Sequence, residues 1–373
     1  MKYIDEFRNL DIAARISGLI KEEARGLGDM NFMEVCGTHT MAVERFGIRR
    51  MLPENVRLIS GPGCPVCVTP KNYIDKAIAL TSLENVIVFS FGDMLKVPGT
   101  NSSLLKQKLK GKVKIVYSAF DAALFAEKNR NKKIVFLGIG FETTAPTVAA
   151  TVKYAKKKKL ENFFVYSNHK VMPPAMKLLA KDKKANIKGF LCPAHVSAII
   201  GMKPYARICE GYNIPCVIAG FEPLDILHSV FMLIRQVKSK KAKVENQYNR
   251  VVKFSGNIKA LRLIEEVFSI NDSDWRGIGV IKNSGLILSK RYRDFDAEKN
   301  IDLPDVKTSV DKGCICGSVL KGIKTPLDCA LFSKKCTPEN PYGACMVSSE
   351  GACAAYYRYP APLASLGYGT SRK

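Results

Sequence analysis

Between Phe32 and Leu227 the chain repeats one pattern. A short β-branched apolar run ends in a Gly-, Pro- or polar-rich turn, and a helix-like stretch follows. The units are "FMEVCGTHT", "VRLISGPGCPVC", "VIVFSFGDMLKVPG", "VKIVYSAFDAAL", "KIVFLGIGFETTAPT", "FFVYSNHKVMPPAM", "GFLCPAHVSAIIG" and "PCVIAGFEPLDIL". Continuous apolar strands separated by helices predict parallel sheets covered on both faces. Two of the units echo each other, with Gly-Phe-Glu after a strand at Gly140–Glu142 and again at Gly220–Glu222. The simplest packing is two α/β domains of about four strands each, spanning 30–129 and 130–234, with the boundary at "EKNRNKK" (Glu127–Lys133).

Outside that region the texture changes. The N-terminal stretch spaces apolar residues as an amphipathic helix does and lacks the uninterrupted apolar core of a signal peptide. Beyond Leu233, "RQVKSKKAKVENQYNRVV" reads as a helix with a polar face and "NIKALRLIEEVF" as a second amphipathic helix. "WRGIGVIKNSGLILSKRYRDFDAEK" reads as hairpin-like strands. These form a third, α+β domain of residues 235–373, completed by 1–29. Its end, "PAPLASLGYGTSRK", reads as a surface tail or a disordered one.

At 47% hydrophobic and 9% aromatic, the 373 residues have the composition of a folded chain of two or three domains. No apolar run approaches the roughly 18 residues that span a bilayer, so no membrane association is expected and a cytoplasmic location is. The net charge of +24 attracts anionic partners. Its lysines are dispersed, however. The runs Lys153–Lys159 and Lys238–Lys243 read as solvated helix faces or a linker, without the aromatics of a single-strand platform. An acidic protein is therefore a better expectation than nucleic acid.

Twelve cysteines alter the picture most. In a reducing compartment they point to metal, cluster or redox work rather than a disulfide frame. Ligands of open parallel sheets gather beyond the carboxyl ends of the strands. There this chain places Cys36, His39, Cys64, Cys67, Asp93, Glu142, His169, Cys192, His195 and Glu222. Singly, Asp93, His169 and Cys192 read as loop or core residues; jointly, the set predicts a cleft between two α/β domains. In "GPGCPVC" the Gly and Pro residues fix a tight turn, and Cys64 and Cys67 can close a disulfide or hold two corners of a metal site. No second C-x-x-C exists to complete a zinc site, so a redox dithiol is preferred. In "CGTHT", Cys36 and His39 fit a nucleophile with its base, two ligands of one metal, or a buried thiol beside a satisfied imidazole. The zinc deaminase pattern and the three-cysteine spacing of radical enzymes are both absent. Finally, Cys314, Cys316, Cys329, Cys336, Cys345 and Cys353 lie in a Gly- and Pro-rich segment. Four of these thiolates can hold an iron–sulfur cube; four-cysteine zinc competes, but its usual short paired spacings are missing. Spacing does not say which four serve.

"CGTHT", "GPGCPVC", "GFETTAPT", "CPAHVSAIIG" and "GACMVSSEGACAAYYRY", in this order across nearly the whole length, resemble the HypD family of hydrogenase maturation proteins. The resemblance implies two α/β domains and a third that carries a [4Fe-4S] cluster on C-x14-C-x6-C-x16-C, here Cys314, Cys329, Cys336 and Cys353. It also implies an iron-holding cysteine at Cys36, a redox pair at Cys64 and Cys67, and assembly of the Fe(CN)2(CO) unit of [NiFe]-hydrogenase. The partners it implies are a small HypC-type chaperone and a HypE-type cyanide donor. His39, Glu142 and His195 are then expected to line the iron pocket. Cys316 and Cys345 leave the ligand set open. A free-standing iron–sulfur thiol–disulfide oxidoreductase and a zinc-stabilised binding protein are the alternatives.

Overall fold

The computed structural model describes residues 5–309 and 313–360. All eight anticipated units form strands: β1 (Met30–Glu34), β2 (Val56–Ser60), β3 (Val86–Ser90), β4 (Val113–Ile115), β5 (Lys133–Gly140), β6 (Phe163–Lys170), β7 (Ile187–Pro193) and β8 (Cys216–Ala219). Three more follow: β9 (Val244–Asn246), β10 (Phe268–Trp275) and β11 (Gly279–Leu288). The apolar run of β5 is buried from Ile134 to Gly140, as a strand covered on both faces must be.

The strands do not associate in chain order. One sheet is wholly parallel, in the order β2-β1-β7-β8-β9. The other runs β10-β11-β6-β5-β3-β4, with β6, β5, β3 and β4 parallel and the β10–β11 hairpin antiparallel at its edge. The chain therefore leaves the first sheet after β2, builds most of the second, and returns for β7. The boundary expected near residue 130 cuts through the second sheet, where β3 pairs with β5 from Val86↔Lys133 to Phe89↔Phe136. Periodicity identifies strands but not their neighbours, and this part of the expected division is corrected.

Two further expectations change. The N-terminal helix Leu10–Glu23 does not complete the cysteine-rich unit. Its Ala13 and Ile20 pack in one apolar cluster with Leu224, Leu227 and Val230 of the helix Pro223–Ser239, and Lys238 pairs with Glu23 at 2.7 Å. Nor is 235–252 one helix: it ends at Ser239, Lys240 turns left-handed, and β9 then joins the first sheet beside β8. The amphipathic helix Ile258–Val267 and the hairpin form as expected, although the hairpin extends the second sheet. Met33, Phe190 and Ile218 from the first sheet share a single core with Val135, Leu137 and Tyr166 from the second. The stretch 361–373, nearly all of the anticipated tail, lies outside the described residues. Among those described, no helix is long and apolar enough to cross a membrane.

Candidate functional site

The first loop begins where β1 ends. Cys36, in an extended conformation, caps the helix Gly37–Arg45. The backbone N–H groups of Thr38 and His39 point donors at its sulfur, a seat suited to a thiolate. Burial outweighs these donors, and with the nearby Glu350 carboxylate it pushes the thiol up to about 12. The resting group is therefore a neutral thiol that a soft cation would deprotonate.

The second loop lies directly on the first. The Gly37 N–H donates to the Gly63 carbonyl (3.1 Å), and Gly61 N–H to that of Glu34 (2.8 Å). A Cβ on Gly63 would stand 2.3 Å from the Cys36 nitrogen and 2.4 Å from its Cα, so only glycine lets "GPGC" reach the Cys36 backbone. Cys64 then caps the short helix Pro65–Val68, its sulfur accepting from the Cys67 N–H at 3.3 Å.

The cysteine-rich segment closes over both loops. Its helix Ala352–Arg358 packs on Gly37–Arg45, and its turn Ala344–Val347 packs on Pro65–Val68. Glu350 sits over Gly37 and accepts from the Thr38 hydroxyl at 2.6 Å. Arg49, paired with buried Glu34 at 3.1 Å, lays its guanidinium over the Tyr356 ring. The Cys67 and Cys345 thiols, both buried, meet here, and Cys345 also meets Cys316. Donation from Cys316 and then Cys67 lowers Cys345 to about 7 despite burial, while burial pushes Cys67 up. Cys345 is thus the easiest of the row to ionise. Cys316, pulled down by Cys314 but pushed up more by Cys345 and burial, stands at about 12.

The row ends at a cavity lined by Cys314, Cys316, Cys329, Cys336, Cys345 and Cys353 among apolar side chains. No disulfide joins any of the cysteines. The donor set fits a [4Fe-4S] cluster. Burial raises Cys353, and the charges of Cys314, Cys336, Cys316 and Cys329 raise it further, a mutual repulsion that a polycationic core relieves. The Tyr342 N–H donates to the Cys336 sulfur (3.3 Å), as backbone donors do to cluster thiolates, and a Cβ on Gly343 would stand 2.9 Å from the Cys314 sulfur. Among the described residues no three His, Cys, Asp or Glu side chains are drawn together tightly enough for a single metal ion.

The remaining expected residues divide. His39 is wholly buried, and its Nε2 meets the Ala219 and Gly220 carbonyls at 3.0 Å each. Burial lowers its pKa to about 4, so it is a neutral anchor between the helix and the end of β8. Phe221 carries the row outward: its ring lies 5.1 Å from His39 and 4.2 Å from His195. His195 is exposed and lies within electrostatic reach of Glu350, the carboxylate that sits over Gly37. Glu142 does a different job. Its Oε1 accepts from the Met172 N–H (2.9 Å) at the start of the helix Met172–Lys181, and burial raises it to about 7. Glu222 caps its own helix and pairs with Arg8 at 2.5 Å. His169 hydrogen-bonds Ser167 (3.1 Å), Cys192 is buried, and Asp93 is exposed in a turn. Sequence reasoning passed over Glu350 and Arg49 and gave Cys316 and Cys345 no role; the only sign of Glu350 was a lone carboxylate between two cysteines.

Comparison with known proteins places the chain in a family. Residues 11–360 match the model of the HypD family, described as "Hydrogenase formation hypA family". The hydrogenase maturation factor HypD2 of Bradyrhizobium diazoefficiens is 46% identical over 368 residues, covering 96% of this chain and 97% of that protein. The HypD factors of Cupriavidus necator and Escherichia coli are 45% and 44% identical, covering 96% of this chain and 97% and 98% of their own lengths. With a family model spanning almost the whole chain and relatives this similar end to end, the chain belongs to the HypD family of hydrogenase formation and maturation proteins.

Proposed function

We propose that the protein is a scaffold and thiol-redox device for building the Fe(CN)2(CO) unit of [NiFe]-hydrogenase in the cytoplasm. In this reading it holds the iron with a small HypC-type chaperone and accepts cyanide from a HypE-type donor. One observation carries the reading: the cysteine-rich segment seats its helices on the two loops that present Cys36 and Cys64–Cys67. From the second loop, thiols follow one another from Cys64 and Cys67 through Cys345 and Cys316 to the cysteine cavity.

The iron is the substrate. Cys36 holds it as a thiolate, with backbone donors of its own helix directed at the sulfur, and soft thiolate ligation keeps the metal electron-rich enough for cyanide and carbonyl. Closing the Cys64–Cys67 disulfide breaks two S–H bonds, forms one S–S bond and yields two protons and two electrons to the iron unit under construction. Cys345 is placed to reopen it. Its thiolate attacks Cys67, releasing Cys64; Cys316 then attacks Cys345, releasing Cys67. The disulfide has moved to Cys316–Cys345, beside the cavity. A [4Fe-4S] cluster on Cys314, Cys329, Cys336 and Cys353 supplies electrons one at a time when bound, at the place where that disulfide needs two electrons and two protons.

Cys36→Ala tests the scaffold. The complex purified without air should lose iron and the infrared bands of cyanide while the cysteine-cavity cluster stays. Unchanged iron rejects the role of Cys36. Thiol–disulfide activity at full rate without a co-purifying chaperone would favour a free-standing oxidoreductase.

A further inference from the structure

The tip of the β10–β11 hairpin belongs to the edge of the second sheet, yet it reaches the thiols. Its Arg276 N–H donates to the Val68 carbonyl at the end of the dithiol helix (2.8 Å). Its Gly277, in a left-handed conformation, meets Gly317 so closely that a Cβ on it would stand 2.5 Å from the Gly317 Cα. The tip is thus wedged between the Cys64–Cys67 helix and the helix that begins at Cys316. Neighbouring Trp275 is fully buried and donates its indole N–H to Ser284 (2.8 Å), which fixes the tip from behind. At this junction the chain buries a guanidinium: Arg276 is only 6% exposed. Arginine carries its charge at every working pH, and the close Gly277–Gly317 contact holds this buried charge beside the segment that supplies Cys314 and Cys316.

We propose that Arg276 is an electrostatic positioning residue that sets the reduction potential of the metal cluster in the cysteine cavity. The inference rests on the cluster reading above. Four thiolates and their cluster carry net negative charge, and reduction adds one more. A fixed cation stabilises the reduced form more than the oxidised one and raises the potential. At about 10 Å and an effective dielectric constant of about 20, one unit charge changes the ratio of reduced to oxidised cluster roughly tenfold. For one electron that is about 59 mV. Without the cation the cluster is harder to charge with electrons, and the thiol row beside it is re-reduced less often.

The test is a spectroscopic redox titration of anaerobically purified full-length protein, followed by paramagnetic resonance. Arg276→Gln should keep iron, sulfide and the visible spectrum while its midpoint falls by about 59 mV; Arg276→Lys should stay within a few-fold of the wild-type ratio. Lys238→Gln, which removes an exposed cation paired with Glu23 of the N-terminal helix, should leave the midpoint alone. An unchanged midpoint in Arg276→Gln overturns the proposal. If that variant does not fold, Arg276→Lys decides: a tenfold loss there shows that the shape of the fork, not its charge, matters, and overturns it as well. Wild-type protein without iron or sulfide would instead remove the cluster reading itself.

Discussion

Gly63→Ala is the sharpest perturbation of the assembled site, because it adds one methyl group and removes no chemistry. The backbone at Gly63 is not strained; only space forbids the side chain. The new Cβ would meet the Cys36 nitrogen at 2.3 Å, the Cys36 Cα at 2.4 Å and the Val35 carbonyl carbon at 2.5 Å, against an ordinary contact of 3.4 Å or more. All three are backbone atoms, so no side chain can swing aside and the two loops must part by about 1 Å. Overpacking of this kind costs about 1–3 kcal/mol, against a net stability of about 5–15 kcal/mol, so the protein still folds. A displacement of about 1 Å in a preorganised site can cost roughly 100-fold in rate. Gly18→Ala, in a helix with nothing near the added carbon, is the matched control and should stabilise by up to about 1 kcal/mol. The assays are thermal unfolding and hydrogenase maturation in a strain carrying each variant. Near-normal maturation by Gly63→Ala would show that contact between the two loops is dispensable, and with it the shared device.

Other outcomes follow from the same geometry. Cys64→Ala and Cys67→Ala should each abolish maturation with little loss of fold, checked by hydrogenase activity beside circular dichroism; normal activity in either contradicts the dithiol role. Cys345→Ser should retain the cluster but leave the Cys64–Cys67 disulfide unreduced, read by differential alkylation and mass spectrometry. A dithiol that recycles at the wild-type rate in that variant rules out the exchange path. Glu142, raised to about 7 in the fold from an ordinary 4.5, contributes stability that is fully present below about 4.5 and lost as pH rises through about 7. The loss is up to about 3 kcal/mol. Glu142→Gln should therefore flatten the fall in urea midpoint between pH 5 and pH 8.5, although Glu34, raised to about 7 as well, keeps part of it. An unaltered slope would show that Glu142 does not titrate in this window.

The sequence carried the local structure well because the signal for it is local. Unbroken apolar runs such as "KIVFLGIG" and the punctuation of "GPGCPVC" mark strands and turns without knowledge of partners. The pairing of β3 with β5 and of β1 with β7 was not legible, since parallel strands of similar composition satisfy one another equally well in several orders. The thiols were legible as individual candidates. Their order in space was not: Cys345 stands between Cys67 and Cys316 only because the cysteine-rich segment lies across two helix starts, with contacts to residues 277 and 312 positions upstream. Glu350 and Arg276 escaped for the same reason. Each looks like an ordinary surface charge until the fold buries Arg276 and lays Glu350 over the Cys36 loop. Glu142 misled in the opposite direction. Its place after a strand resembles that of Cys36, but its carboxylate faces a helix start and serves the fold.

Anaerobic purification followed by iron, sulfide and zinc analysis with electron paramagnetic resonance tests the central claim most directly. The account predicts four irons and four sulfides held by the chain alone and a resonance that appears on reduction. That resonance should vanish in Cys353→Ala and survive in Cys345→Ser. Stoichiometric zinc in place of iron, or a cluster lost with Cys345 and kept without Cys353, would contradict it.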